Sequence, residues 1–298
     1  MKCRLSGATT TWGASIVTLL LLSGSAAGQS ATAAGGAWTG PRTADGQPDV
    51  QGTWDAVISG SFSLVTPMAG GGRFNALATG RELPKNPSRI VDPADGRVPY
   101  QPWAAALQQA QEKDVDYPTR PWHIDPQNRC LPQGVSRGFY TTQARILQLP
   151  GQVVFLFQQY QYYRIIRLGA PHIGPDVKLW MGDPVGHWEG NTLVVDVTNL
   201  NGKARLAMVG DFYSENAHVV ERYTFAGADT LKYSATFADP TVYTRPWTLA
   251  VDLKRRPNEE FWEYGCHEGD RGEALQLWPA EDGTYKKDDS PNKKENAR

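Results

Sequence analysis

From about Arg145 onward the chain alternates short apolar runs with tight breaks. Val153 to Gln159 and Tyr162 to Leu168 are rich in β-branched and aromatic residues, the composition of half-buried strands. Gly186 to Val197 (GHWEGNTLVVDV) reads as two strands about a Gly190-Asn191 turn, with Glu189 opposite Thr192. His218 to Phe225 and Thr230 to Phe237 form a second hairpin across Ala226-Gly227-Ala228-Asp229. Trp247 to Lys254 and Glu260 to Cys266 supply two further strands. Strands in this succession predict an antiparallel meander. It closes into a lipocalin-like barrel or, as the alternative, packs as a β-sandwich.

The N-terminal part is different. Residues 29–100 are broken by Gly70-Gly71-Gly72 and by Pro84, Pro87, Pro93 and Pro99, and one short strand is expected within Gln51 to Ser59. Trp103 to Lys113 is Ala- and Gln-rich and free of breakers, so it is the one convincing helix. Tyr117 to Pro132 returns to Pro-rich loop. The expected fold is mainly β, a single domain over 29–285, with one short helix and long N-terminal loops draped over the sheet.

Both ends lie outside that domain. Lys2 and Arg4 precede an apolar stretch from Trp12 to Leu22 and then small residues to Gly28. The stretch is too short for a bilayer span of roughly 20 residues, which identifies residues 1–28 as a signal peptide. No membrane span is expected once it is removed. Residues 286–298 are charged and read as a disordered tail. Cleavage would remove Cys3 of the three cysteines and leave Cys130 and Cys266, which in an exported chain most simply form one disulfide. In the chain-entropy model so long a loop is worth about 4–5 kcal/mol. The rival reading is a pair of metal-binding or reactive thiols. The expected location is periplasmic or secreted.

Composition narrows the function classes. There are 30 basic and 31 acidic residues, a net charge of −1, which falls to −3 without Lys2 and Arg4; no basic face for nucleic acid is evident. The near-neutral balance and exposed strand edges leave a homodimer open. Nucleotide-binding glycine loops, Cys-x-x-Cys, His-Glu-x-x-His and Gly-x-Ser-x-Gly are all missing from the sequence.

Several blocks resemble known proteins. Gly52-Thr53-Trp54 resembles the lipocalin and calycin start. Pro48 to Trp54 (PDVQGTW), Gly186 to Asp196 (GHWEGNTLVVD), Tyr243 to Thr248 (YTRPWT) and Glu263 to Glu268 (EYGCHE) resemble the hallmark blocks of a large, mostly uncharacterised group of exported bacterial proteins. That resemblance implies export and one domain, and carries no activity with it.

The candidate chemistry rests on histidines, acids and aromatics. Of five histidines, His172, His187, His218 and His267 fall in the β region, and His123 lies in the Pro-rich loop. Strand parity puts Glu221 with Val219, Tyr223 and Phe225, facing the core or a cavity. Such a carboxylate is either a tuned acid or base, or one half of a salt bridge to Arg164, Arg167 or Arg245. Glu263 shares parity with Phe261 and is a second inward candidate. His187 and Glu189 share a strand face and make a nonspecific metal pair; no metal or other cofactor is expected. Tyr163, Trp180, Trp188, Trp247 and Tyr264 are candidate walls for a small apolar or aromatic ligand.

The expectation is a cofactor-independent enzyme acting on a small, partly aromatic substrate as a lyase, isomerase or hydrolase. Glu221 with His172 or His187 would move the proton, and Tyr243 and Arg245 would orient the substrate or steady an oxyanion. The alternative is a lipocalin-type protein that binds such a molecule without turnover. A third reading is an envelope component with a solid core and no ligand.

Overall fold

The computed structural model describes residues 38–66, 88–115, 118–120 and 122–266. The expected signal peptide and tail lie outside the described residues, as does His267. Ten strands form one sheet: β1 (Gly52–Ala56), β2 (Ile90–Asp92), β3 (Ala144–Leu149), β4 (Gln152–Phe157), β5 (Tyr163–Leu168), β6 (Asp183–Glu189), β7 (Thr192–Thr198), β8 (His218–Gly227), β9 (Thr230–Ala238) and β10 (Trp247–Arg255). Two helices interrupt them, α1 (Pro102–Asp114) and α2 (Gly138–Thr141).

β1 pairs with β3, the chain then runs in order to β10, and β10 returns to β1. Nine strands therefore close a barrel, and β2 adds to β10 from outside. Closure removes the free edges of an open sheet. The register Ala56↔Leu253 sets two buried apolar residues side by side at the join.

Two sequence expectations need correction. The barrel is mixed, because β5 and β6 run parallel and pair only at Arg167↔Val185 and Leu168↔Gly186. Residues 169–182, broken by Gly169, Pro171, Gly174 and Pro175, cannot turn tightly and instead cross over the outside of the barrel. Glu260 to Cys266 is not a strand. β10 already gives one edge to β9 and the other to β1 and β2, so no edge remains for it. Glu263 is accordingly exposed on a loop.

The barrel's two ends differ. Tight turns at 150–151, 190–191 and 228–229 close one end. The long connections 57–143, 199–217 and 239–246 gather at the other, where α2 drops Phe139 and Tyr140 into the interior. A side chain at Gly138 would overlap the Tyr162 hydroxyl and the Phe157 ring, which is why glycine starts this short helix.

The interior is filled. Phe139 packs 4.7 Å from Tyr233 and 5.2 Å from both Phe155 and Tyr223, measured between ring centroids. Trp54 and Trp247 are fully buried. At the centre lies one ion pair. Arg164 on β5 meets Glu221 on β8 at 2.5 Å (Nη2 to Oε2) and donates from Nη1 to Oε1 at 2.9 Å. Tyr233 and Tyr223 donate to the same oxygen at 2.6 and 3.0 Å. Burial alone would lower the Arg164 pKa, but Glu221 outweighs it and holds the guanidinium firmly charged.

A buried pair is costly to break from one side, because the survivor is left charged in a medium that cannot solvate it. Glu221→Gln is expected to destabilise the fold by about 3–5 kcal/mol in denaturant melts at neutral pH. The double change Arg164→Met with Glu221→Leu should recover most of that loss. A single variant as stable as the parent would show that the pair carries no such constraint.

Candidate functional site at the long-loop end

With the barrel filled, open space is found where the long connections meet. A cleft of about 760 Å³ lies between α1, the 122–129 loop and the β7–β8 connection. Its size is in the range of small-molecule sites.

α1 is built to face it. Pro102 sits at the first helical position, where its missing N–H is no loss. Trp103, Leu107, Ala110 and Asp114 recur at helical spacing and all line the cleft. Trp103 is 51% exposed and Leu107 42%, so this apolar stripe serves no core. Ala104 is the one buried residue of the helix. The start of α1 is held by the block recognised in the sequence around Tyr243. Gln101 N–H donates to the Val242 carbonyl at 2.8 Å, and the Trp103 indole to the Thr241 carbonyl at 3.2 Å. Gly210, at φ +95°, lets the β7–β8 connection pass against Gln111; a Cβ there would collide with that side chain.

The 122–129 loop and the β7–β8 connection bring Trp122, 64% exposed, with His123, Arg129, Lys203 and Arg205 to the same cleft. Phe212 and Tyr213 also line the cleft. A buried ion pair fixes the loop beneath them. Arg137 Nη1 donates to both Asp125 oxygens at 3.0 and 2.9 Å and to the Arg205 carbonyl at 3.2 Å. Asp125 also accepts from Gln127 N–H at 2.8 Å, starting the 3₁₀ turn Pro126–Arg129. Cys130 ends that turn and is joined to Cys266 by the disulfide expected from the sequence.

Charge in the cleft is uneven. Arg205 donates to the backbone carbonyls of His123 and Trp122 at 3.2 and 2.9 Å. Burial lowers its pKa, Asp125 opposes that, and Arg137 and Arg129 add to the lowering. Asp114 lies 3.5 Å from His123 Nδ1.

A smaller pocket of about 360 Å³ on another side of α1 contains Asp211, Tyr100, Gln108 and Glu112. Tyr100 donates to Asp211 Oδ1 at 2.9 Å. Burial raises the Asp211 carboxyl to about 6, although the Tyr100 hydroxyl pulls the other way.

The residues singled out in the sequence fall in several places. Glu221 is locked to Arg164 in the packed interior. His172 fastens the crossover to the barrel wall: its Nδ1 contacts Asp183 at 2.9 Å and its Nε2 contacts Asp196 at 3.1 Å, while His218 reaches the other Asp196 oxygen at 2.8 Å. Burial would raise the Asp183 carboxyl, but the Ile173 N–H, His172 and Arg167 outweigh it and hold it below the usual range. His187 lies on the outer face beside Glu189, which Arg222 also clasps. Among the described residues no cluster of three or more His, Cys, Asp or Glu is placed to hold a metal.

Tyr243 is buried and donates to the Phe212 carbonyl at 2.7 Å, so it supports the cleft wall from behind. Arg245 pairs with Asp92 at the surface, tying β2 to the β9–β10 connection. Trp247 stacks on Phe237 in the core at 4.8 Å. Trp180 packs against the core from the crossover. Trp188 lines a separate pocket at the tight-turn end. Tyr163 is exposed on the outer face, and Tyr264 meets Tyr160 edge-on.

Sequence reasoning passed over Trp103, Trp122, Arg129, Lys203, Arg205 and Asp211. The spacing of Trp103, Leu107, Ala110 and Asp114 was the available signal, since an apolar helix stripe must face something. No protein-family model matches the chain, and no curated protein matches it.

Asp211 generates a pH prediction. An unfolded Asp ionises near 4, so the folded protein binds this proton more tightly and loses stability as pH rises from about 4 to about 6. The full loss is about 3 kcal/mol. Denaturant melts of Asp211→Asn and the parent across that window should diverge by this amount, with the variant gaining relative stability at the higher pH. Parallel curves would show that Asp211 is not so raised.

Proposed function

We propose that the protein is an exported, periplasmic or secreted β-barrel that binds a small, partly aromatic molecule in the cleft at its long-loop end. The observation that carries this is that the exposed side chains of Trp103, Leu107 and Trp122 all line one cleft of about 760 Å³. Exposed indoles lining one cleft supply large apolar contact to a flat ligand at low entropic cost. The filled barrel and the engaged Glu221 favour binding at the loops over chemistry inside the barrel. Export accords with the Cys130–Cys266 disulfide, which persists outside reducing compartments. Among the described residues no helix is long and apolar enough to cross a membrane.

The test is calorimetric titration with 2-naphthol, a neutral flat probe. Saturable binding is expected. Trp122→Ala and Trp103→Ala together should weaken it tenfold or more, whereas Trp188→Ala, in a different pocket, should leave it unchanged. Equal binding by all three proteins, or none by the parent, would sink the reading.

Acid–base catalysis in the same cleft is the second reading, favoured by His123 with Asp114 at 3.5 Å behind it. An imidazole backed by a carboxylate can pass a proton to a bound molecule. With 4-nitrophenyl acetate as a hydrolysis probe, His123→Gln should then reduce turnover about 100-fold while 2-naphthol still binds. Unchanged turnover in that variant would remove His123 as the proton carrier.

A further inference from the structure

The cleft has a cationic end with nothing on the protein assigned to it. Arg129, Lys203 and Arg205 line it together. Among the described residues none of the three forms an ion pair, whereas the neighbouring Arg137 pairs with Asp125. Arg129 Nε is shielded from solvent and has no hydrogen-bond partner. A shielded donor without an acceptor is unfavourable, and a ligand oxygen would relieve it. Asp125 and Asp114 act on Arg205 as countercharges, but burial and the neighbouring Arg137 and Arg129 outweigh them. Arg205 is held by two backbone carbonyls, which orient it and bring no countercharge of their own.

We infer that the cleft takes an anionic ligand, whose carboxylate or phosphate oxygens sit against Arg129, Lys203 and Arg205 while its aromatic body lies between Trp103 and Trp122. The inference rests on the binding reading above and adds the ligand's charge. Guanidinium groups suit this task because they stay charged and present several donors in one plane. The disulfide at Cys130 anchors the residue next to Arg129 and so fixes where that guanidinium begins.

The test pairs two probes of one shape, 2-naphthoate and 2-naphthol, titrated calorimetrically into the full protein at pH 7 and low salt. The parent should bind 2-naphthoate at least tenfold more tightly than 2-naphthol, and added salt should shrink the gap. Arg129→Gln should erase most of the preference for 2-naphthoate over 2-naphthol. Lys203→Ala, at an exposed position with no fold-supporting side-chain contact among the described residues, should reduce it by a smaller factor, so the inference stays testable if the Arg129 variant unfolds. If 2-naphthol binds but 2-naphthoate binds no better, the cleft is a ligand site and the anionic assignment is overturned. If neither probe binds, both readings fail. A preference that survives both variants would place the anion elsewhere and overturn the assignment to these residues.

Discussion

The Arg164–Glu221 pair is the constraint on which the barrel depends. β5 and β6 share only two residue pairs, the thinnest join in the wall. Arg164 projects from β5 across the interior to Glu221 on β8, so a side-chain bridge spans the barrel where the backbone ladder is weakest. The tyrosine hydroxyls of β8 and β9 add two hydrogen bonds to one carboxylate oxygen. A charge pair in this position must be matched in full, since a half-satisfied network costs more than an apolar core. The rings of Phe139, Phe155, Tyr223 and Tyr233 pack around it and leave the barrel solid rather than cup-shaped.

The proposed ligand site lies among the loops and not among the packed rings of the barrel. The tight-turn end offers short hairpins, while the long connections at the opposite end supply α1, the 3₁₀ turn and the β7–β8 connection. Each is anchored separately: α1 by the Val242 and Thr241 carbonyls, the 122–129 loop by Asp125 and Arg137, and the 3₁₀ turn by Cys130. The cleft is therefore a gap between rigid pieces. Binding energy there need not be spent on ordering loops.

Much of the fold was legible in the sequence. The hairpins about Gly190-Asn191 and Ala226–Asp229, the helix over Trp103 to Lys113 and the disulfide follow from turn chemistry, helix propensity and cysteine count. These are local signals. The site was less legible because its parts come from segments far apart in the chain. His172 and His187 looked like proton carriers by residue type, yet one fastens a crossover and the other lies on the outer wall.

Glu221 shows where the boundary falls. Alternation along β8 determined by itself that Glu221 points inward, because side chains on a strand change face at every residue. It could not determine which cation would meet it, since Arg164 is 57 residues away and pairs with it only after the barrel closes. The parallel β5–β6 pairing and the fate of Glu260 to Cys266 were likewise decided by which strand edges were still free. The gathering of Trp103, Trp122, Arg129 and Arg205 about one cleft was decided in the same way. Local alternation and turn chemistry are written into neighbouring residues; edge occupancy and cleft formation exist only once distant segments have packed.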